Sequence, residues 1–331
     1  MLSTSASALL HTATRVPPHL ALGALFPKAP SVVDTLPAAV REAYDFHSRL
    51  YARPGFAAMM RGLEREDLLT LPAMIAATPL DLARIWRKFK TGAMRLPVAP
   101  PDDFPYPDYY LNDFHNQKNG NLSLQAALTY EWQISIIFLN TNRLMRQGVI
   151  DQIPEGDNLD ILDVACGTGA WIPQAHRQGR RHHVTGIDLS PTYLKLGKLL
   201  QKLGMRPRAD LLQMNAESLR PEWTDRFDLV TSIWLLHELP RPATERVLDE
   251  MVRVLKPGGR LLLMDSWQLD DVPQERREAG QAIQRFFARY FNEPYYLAYQ
   301  RLDIPALLTA RGLKVERSES WFRSKLWVAR K

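Results

Sequence analysis

The chain has 331 residues, of which 46% are hydrophobic and 24% charged. That is the balance of an ordinary globular protein with ample core. A net charge of +6 is too modest at this length to mark a nucleic-acid binder by itself. The single cysteine excludes a disulfide framework and a thiolate metal site, and no apolar run reaches the ~20 residues of a membrane span.

Residues 1–36 hold several prolines, little polarity and no periodicity, and are expected to form a partly ordered arm. Arg15 and the Ser and Thr residues ahead of the first acid, Asp34, faintly suggest a transit peptide. The basic content is low and no charged start precedes an apolar core, so a cytoplasmic protein is expected. Residues 37–96 read as helices. Pro37 sits in a favoured first-turn position, and Pro79 opens a second helix after Thr78 as N-cap. Pro97 to Pro107 is proline-rich, carries Asp102 and Asp103, and reads as an extended linker. Aromatic, amide and turn residues fill Tyr109 to Ser123. Leu124 to Gln147 then reads as one long helix that stops near Gly148.

The most informative stretch is Ile161-Leu162-Asp163-Val164-Ala165-Cys166-Gly167-Thr168-Gly169. An apolar strand runs into a glycine-rich turn and then into a helix near Trp171. Such a unit offers backbone N–H groups and a helix N-terminus to an anionic ligand. Ile172 stands where a dinucleotide fingerprint has its third glycine. That turns the reading from a dehydrogenase toward a binder of S-adenosylmethionine, whose amino-acid end needs close backbone approach and an acid for its ammonium. His183 to Ile187 reads as a second strand, with Asp188 at its end at the ~20-residue spacing from which an acid reaches ribose hydroxyls. Leu211 to Met214, Phe227 to Trp234 and Arg260 to Asp265 read as further strands.

Two basic clusters stand out, Arg84 to Lys90 and His176 to His183; the second leads into a strand, where a charged solvated connection is the default reading, and nucleic-acid contact is the lesser reading of either. Gln274 to Phe291 is expected to be helical, with Ile283, Phe286, Phe287, Tyr290 and Phe291 at helical spacing. Core packing is the commoner explanation of such an aromatic stripe. Asp303-Ile304-Pro305 opens a helix that ends at Gly312. Leu313–Ser318 and Trp321–Ala329 are strand-like, with Glu319 and Ser320 turning a hairpin between them. The dispersed histidines suggest no metal site.

The segments DVACGTG, TGIDLS, QMNAESL, FDLVTSIWLLHEL and LKPGGRLLLMD, in that order, resemble the class I (Rossmann-like) S-adenosylmethionine-dependent methyltransferases over roughly residues 155–270. The resemblance implies an α/β fold: a seven-stranded sheet with its last strand antiparallel, helices on both faces, and an N-terminal helical region. Residues 1–108 would be the arm and linker. Residues 109–331 would be the methyltransferase domain, with lid helices and the hairpin in 271–331.

For the cofactor S-adenosyl-L-methionine, the resemblance implies Asp163 near the methionine ammonium. Ala165, Gly167, Thr168 and Gly169 would form the turn, and Asp188 would hold the ribose. Leu189, Asn215 and Ala216 would lie about the adenine, and Ser232 at the end of the fourth strand. Asn215 is also a plausible strand-end turn residue. Cys166 reads as a small residue tolerated in the turn rather than a nucleophile. His237 is the first candidate for catalysis, as a base or an orienting group. Its bland alternative is a residue packed beneath a helix. Glu238 and then His115 follow, and Trp234 is either pocket wall or core.

The stretch Ser232-Ile233-Trp234-Leu235 lacks the Asn-Pro-Pro-Tyr type of motif and argues against amino methylation of nucleobases. A small-molecule acceptor methylated on oxygen or carbon is the leading reading. An RNA methyltransferase and a non-catalytic adenosylmethionine-binding module are the alternatives, and a dehydrogenase comes last. The N-terminal helices either pair two chains as a homodimer or close one pocket.

Overall fold

In the computed structural model, residues 31–53, 56–91, 96, 98–176, 181–274 and 277–331 are described. The strands are β1 (Asp160–Val164), β2 (His183–Asp188), β3 (Asp210–Gln213), β4 (Phe227–Ile233), β5 (Leu255–Ser266), β6 (Lys314–Trp321) and β7 (Ser324–Arg330). They form one sheet in the order β3-β2-β1-β4-β5-β7-β6. The first five are parallel, and β7 enters antiparallel between β5 and β6. This is the Rossmann-like methyltransferase sheet implied by the sequence.

A parallel sheet covered on both faces needs apolar residues in succession along each strand, and these strands have them. Ile161, Leu229, Leu262 and Val328 join one core cluster; Leu162, Val164, Val230, Leu263 and Trp327 join another. The helices are α1 (Ser31–Tyr51), α2 (Phe56–Thr91), α3 (Leu124–Ile137), α4 (Asn142–Ile150), α5 (Ile172–His176), α6 (Pro191–Lys202), α7 (Arg241–Val254), α8 (Arg277–Tyr290), α9 (Tyr296–Tyr299) and α10 (Ile304–Thr309). Residues of α1, α4, α5 and α6 enter the first cluster, and residues of α7, α9 and α10 enter the second.

Strand order reverses between β1 and β4, which pair through Val164 and Ser232 at their carboxyl ends. Ligands of open α/β sheets bind at such a switch point. The functional cleft opens there.

Several local expectations are corrected. The stretch from Leu124 is two helices, because Leu139 and Asn140 take left-handed φ of 51° and 63° and Asn140 N–H bonds back to Ser135 O at 2.6 Å. Gly148 does not stop a helix; it lies inside α4, where a Cβ would come within 2.7 Å of the Trp321 indole. The glycine serves close packing. Pro37 lies beyond the first turn of α1, and α2 runs through Pro72 and Pro79. Thr78 therefore does not cap; its hydroxyl donates to Met74 O at 2.7 Å within the helix.

The hairpin turns at Phe322 and Arg323, with Glu319 and Ser320 inside β6. Phe322 has φ 56° and its ring stacks on Phe46 of α1 at 4.7 Å. A contact from the other end of the chain sets that turn. The arm residues 1–30, residues 177–180 of the second basic cluster and Arg276 lie outside the described residues.

Trp327 is fully buried on β7 opposite Leu263. Trp327→Ala should lower unfolding stability by ~3–5 kcal/mol, seen as a lower urea midpoint. A midpoint equal to that of the parent would contradict the packing described.

Candidate active site

Asp163, next to last in β1, is almost wholly buried. Its Oδ2 accepts the Trp171 indole N–H at 2.5 Å. Burial pushes the carboxyl up to about 8, against the pull of that hydrogen bond, and the Asp188 charge adds to the rise. Asp188 ends β2. Its Oδ2 accepts Gly167 N–H and its Oδ1 accepts Ser190 N–H, both at 2.8 Å. Burial raises it to about 6, with these backbone donors opposing.

The turn between them holds Ala165 and Gly167 at φ 59° and 55°. A Cβ at Gly167 would meet only the Tyr193 ring, at 3.8 Å, so that backbone faces open cleft. The Cys166 thiol is buried and pushed well above its ordinary range by burial and by the charges of Asp163 and Asp188. It is not a nucleophile at neutral pH.

The cleft encloses an empty volume of about 1080 Å³, counting the part open to solvent. Asp163, Ala165, Gly167, Thr168, Asp188, Leu189, Asn215, Ala216 and Glu238 line it. Gly169, Ser232 and His237 are not among the lining residues. A Cβ on Gly169 would meet Ile172 Cδ1 at 2.9 Å, so that glycine lets the following helix close in. The Ser232 hydroxyl donates to Val164 O at 2.9 Å, across to β1.

His237 does not line the cleft directly, although its Nε2 lies 4.0 Å from Glu238 Oε1. Its Nδ1 is 2.5 Å from Asp265 Oδ1, and its ring meets Tyr296 and Tyr299 edge-on. Burial pulls its pKa down, but the Asp265 charge and hydrogen bond overcome this and hold it at about 9. The neighbouring Glu238 faces the cleft instead. Burial alone would raise its carboxyl; the hydrogen bond and charge of His115, the charge of His237 and the Asn121 amide bring it below its ordinary value.

Sequence reasoning missed much of the remaining wall. Tyr110, Tyr130 and Tyr193 line the cleft, as do Glu131 of α3 and Arg146 of α4. Arg146 grips Glu131 with two bonds of 2.9 and 2.8 Å and lies over the Trp234 ring at 5.1 Å. Trp234 is both wall and packed, stacking on Phe138 at 5.8 Å. No motif marks these residues, because they meet only when the flanking helices dock.

Two of the four basic residues in the first cluster are spent on structure, while Arg87 and Lys90 are exposed. Arg84 pairs with Asp81 at 2.5 Å, and Lys88 is buried against Asp113. Among the described residues no group of His, Cys, Asp and Glu side chains fits a metal ion, and no helix is long and apolar enough to cross a membrane.

A family model described as a methyltransferase domain matches residues 161–259. Over 191 residues the chain is 32% identical to a demethylmenaquinone methyltransferase of Listeria monocytogenes, a match covering 55% of this chain and 76% of that protein. Over 148 residues it is 38% identical to a demethylmenaquinone methyltransferase of Lactiplantibacillus plantarum, covering 44% and 60%. Among solved structures, a putative methyltransferase of Bacillus halodurans superposes with a TM-score of 0.44 at 20% identity, over 56% of this chain and 98% of that one. The chain belongs to the class I S-adenosylmethionine-dependent methyltransferases. It is an enzyme, and S-adenosyl-L-methionine is its methyl donor.

Arg146→Met would leave Glu131 charged and buried without its cation. It should cost ~3–5 kcal/mol of stability, and adding Glu131→Gln should recover part of that. Equal losses in the single and double variants would show that the pair is not coupled.

Proposed function

We propose that this enzyme methylates a small aromatic acceptor bearing a hydroxyl, on that oxygen or on the ring carbon it activates, with a quinol as the leading case. The observation that carries the reading is Glu238, an ionised carboxylate in a cleft walled by Tyr110, Tyr130 and Trp234. Aromatic walls suit a flat ring, and a carboxylate accepts from its hydroxyl. The printed name of the relatives, demethylmenaquinone methyltransferase, points to the same class. The commitment of Arg84 and Lys88 to acids within the fold weakens the RNA alternative.

The residues present fit the cofactor. Asp163 would take the methionine ammonium, and the Gly167 backbone would leave room for the chain beside it. Asp188 keeps lone pairs for the ribose hydroxyls beyond the two backbone donors it accepts. Leu189, Asn215 and Ala216 would flank the adenine, although Asn215 Oδ1 already accepts Glu217 N–H at 3.0 Å.

S-adenosylmethionine supplies an electrophilic methyl group on a sulfonium when bound. Glu238 would accept a hydrogen bond from the acceptor's hydroxyl, raising electron density on that oxygen and its ring as the new bond to methyl forms. Much of the remaining task is alignment in a closed cleft. His237, protonated up to about pH 9, is a donor rather than a base near neutrality. Its bond to Asp265 braces the turn Leu236–Glu238. We further propose that residues 109–331 form the catalytic unit, and that the helices within residues 1–108 brace its acceptor end.

Two measurements test the cofactor assignments. Asp188→Ala should weaken S-adenosylhomocysteine binding by ~10- to 100-fold, the loss of a charge-assisted bond of ~1.5–3 kcal/mol; unchanged affinity would remove the ribose contact. The ammonium needs Asp163 ionised, and below about pH 8 a proton must leave first. Affinity should therefore rise from pH 6 to pH 8, by at most ~10-fold per unit, and Asp163→Asn should flatten the rise. A flat profile in the parent would sink that contact. For the acceptor, 1,4-naphthoquinol with S-adenosylmethionine should give a methylated product by mass spectrometry. Absence of product in a protein that binds the cofactor would reject the quinol class.

A further inference from the structure

The matched methyltransferase domain spans residues 161–259, yet the ionic partners that surround Glu238 reach beyond it on both sides. His115 lies in the turn Phe114–Asn116, where His115 and Asn116 both hold left-handed φ, 54° and 57°. For a non-glycine residue this conformation persists only where surrounding contacts impose it. Here they do. Asp113 pairs with buried Lys88 of α2 and accepts the Asn292 amide at 2.7 Å.

So held, His115 places Nε2 3.3 Å from Glu238 Oε1 and 3.5 Å from Glu293 Oε1. Asn121 adds an amide 3.4 Å from the other oxygen of Glu238. His237 Nε2 lies 4.0 Å from Glu238 Oε1, with Asp265 behind it. The Tyr130 ring stands 6.1 Å from the imidazole. One imidazole thus sits between two buried carboxylates. Both carboxylates favour the charged form of that imidazole.

We propose that His115, with Glu293 behind it, is the positioning residue for Glu238. As an imidazolium shared by two carboxylates, it keeps Glu238 ionised and aimed into the acceptor end of the cleft. This rests on the reading of Glu238 as the acceptor's partner. It assigns control of that partner to residues that flank the matched domain. The cofactor end is then built within the matched domain, and the acceptor end is tuned by residues outside it. Burial would lower the His115 pKa, but the hydrogen bonds and charges of Glu238 and Glu293 overcome it and hold it at about 10.

The test uses the full-length protein with S-adenosylhomocysteine bound. Histidine NMR should show His115 still protonated at pH 8, and Glu293→Gln should lower its midpoint by at least ~1 unit, as removal of one nearby opposite charge does. In His115→Asn, infrared difference spectra should show a protonated carboxyl near pH 7 that the parent lacks. With 1,4-naphthoquinol the acid limb of kcat should move up in His115→Asn and stay or move down in Glu293→Gln, while S-adenosylhomocysteine affinity stays within ~2-fold in both. His115 titrating near its ordinary ~6.5, or an unmoved carboxyl in His115→Asn, would overturn the proposal. Neither readout depends on turnover. Failure of the parent to methylate naphthoquinol would count against the acceptor class alone.

Discussion

Keeping carboxylates out of water without losing their charge is the constraint on which this cleft depends. Burial favours the neutral acid, and each acid here meets that pressure differently. Glu131 is held ionised by the two-bond grip of Arg146. Glu238 has His115 and, farther off, His237. Asp188 has backbone donors that keep its rise small, to about 6. Asp163 has one indole N–H and climbs to about 8. Asp163 is thus the acid with most to gain from an incoming cation. It stands at the carboxyl end of β1, where the proposed contact with the methyl donor's ammonium would form.

The first N-terminal helix packs into the core, and the second reaches the cleft through an ion pair. Phe46, Leu50 and Tyr51 of α1 share a core cluster with Ile161 of β1 and Leu326 of β7. Lys88 of α2 neutralises Asp113, which in turn fixes the strained turn at His115. A charge on a surface-looking helix therefore reaches the cleft through two contacts. Lys88, one of a basic cluster, thus serves to hold a loop beside the cleft in a conformation it would not adopt alone.

How legible the molecule was from its sequence follows from how local each cause is. β1, β2, β4 and the turn at Gly167 were legible because an apolar run and its glycines specify them within a few residues. Asp163 and Asp188 were legible because the strand ends fix them at the switch point. Errors fall where a distant contact decides the backbone. Phe46 sets the hairpin turn at Phe322, Trp321 explains Gly148, and left-handed Leu139 and Asn140 split a helix that composition alone would continue. The walls Tyr130, Glu131 and Arg146 belong to this second kind, since their meeting depends on how α3 and α4 dock.

His237 and Glu238 show the limit most sharply. They are adjacent, both titratable, and both follow β4, so sequence position cannot rank them. The turn Leu236–Glu238 is a tight 3-10 helix, in which successive side chains point about a third of a turn apart. One residue then faces Asp265 near the end of β5 and the next faces the cleft. The buried acid near the end of β5 decides which: Asp265 is fully buried and calls for hydrogen-bond donors, which His237 supplies and the Glu238 carboxylate cannot. Placing the histidine inward satisfies that acid and leaves the carboxylate facing the cleft, where His115 arrives from the other side to balance it.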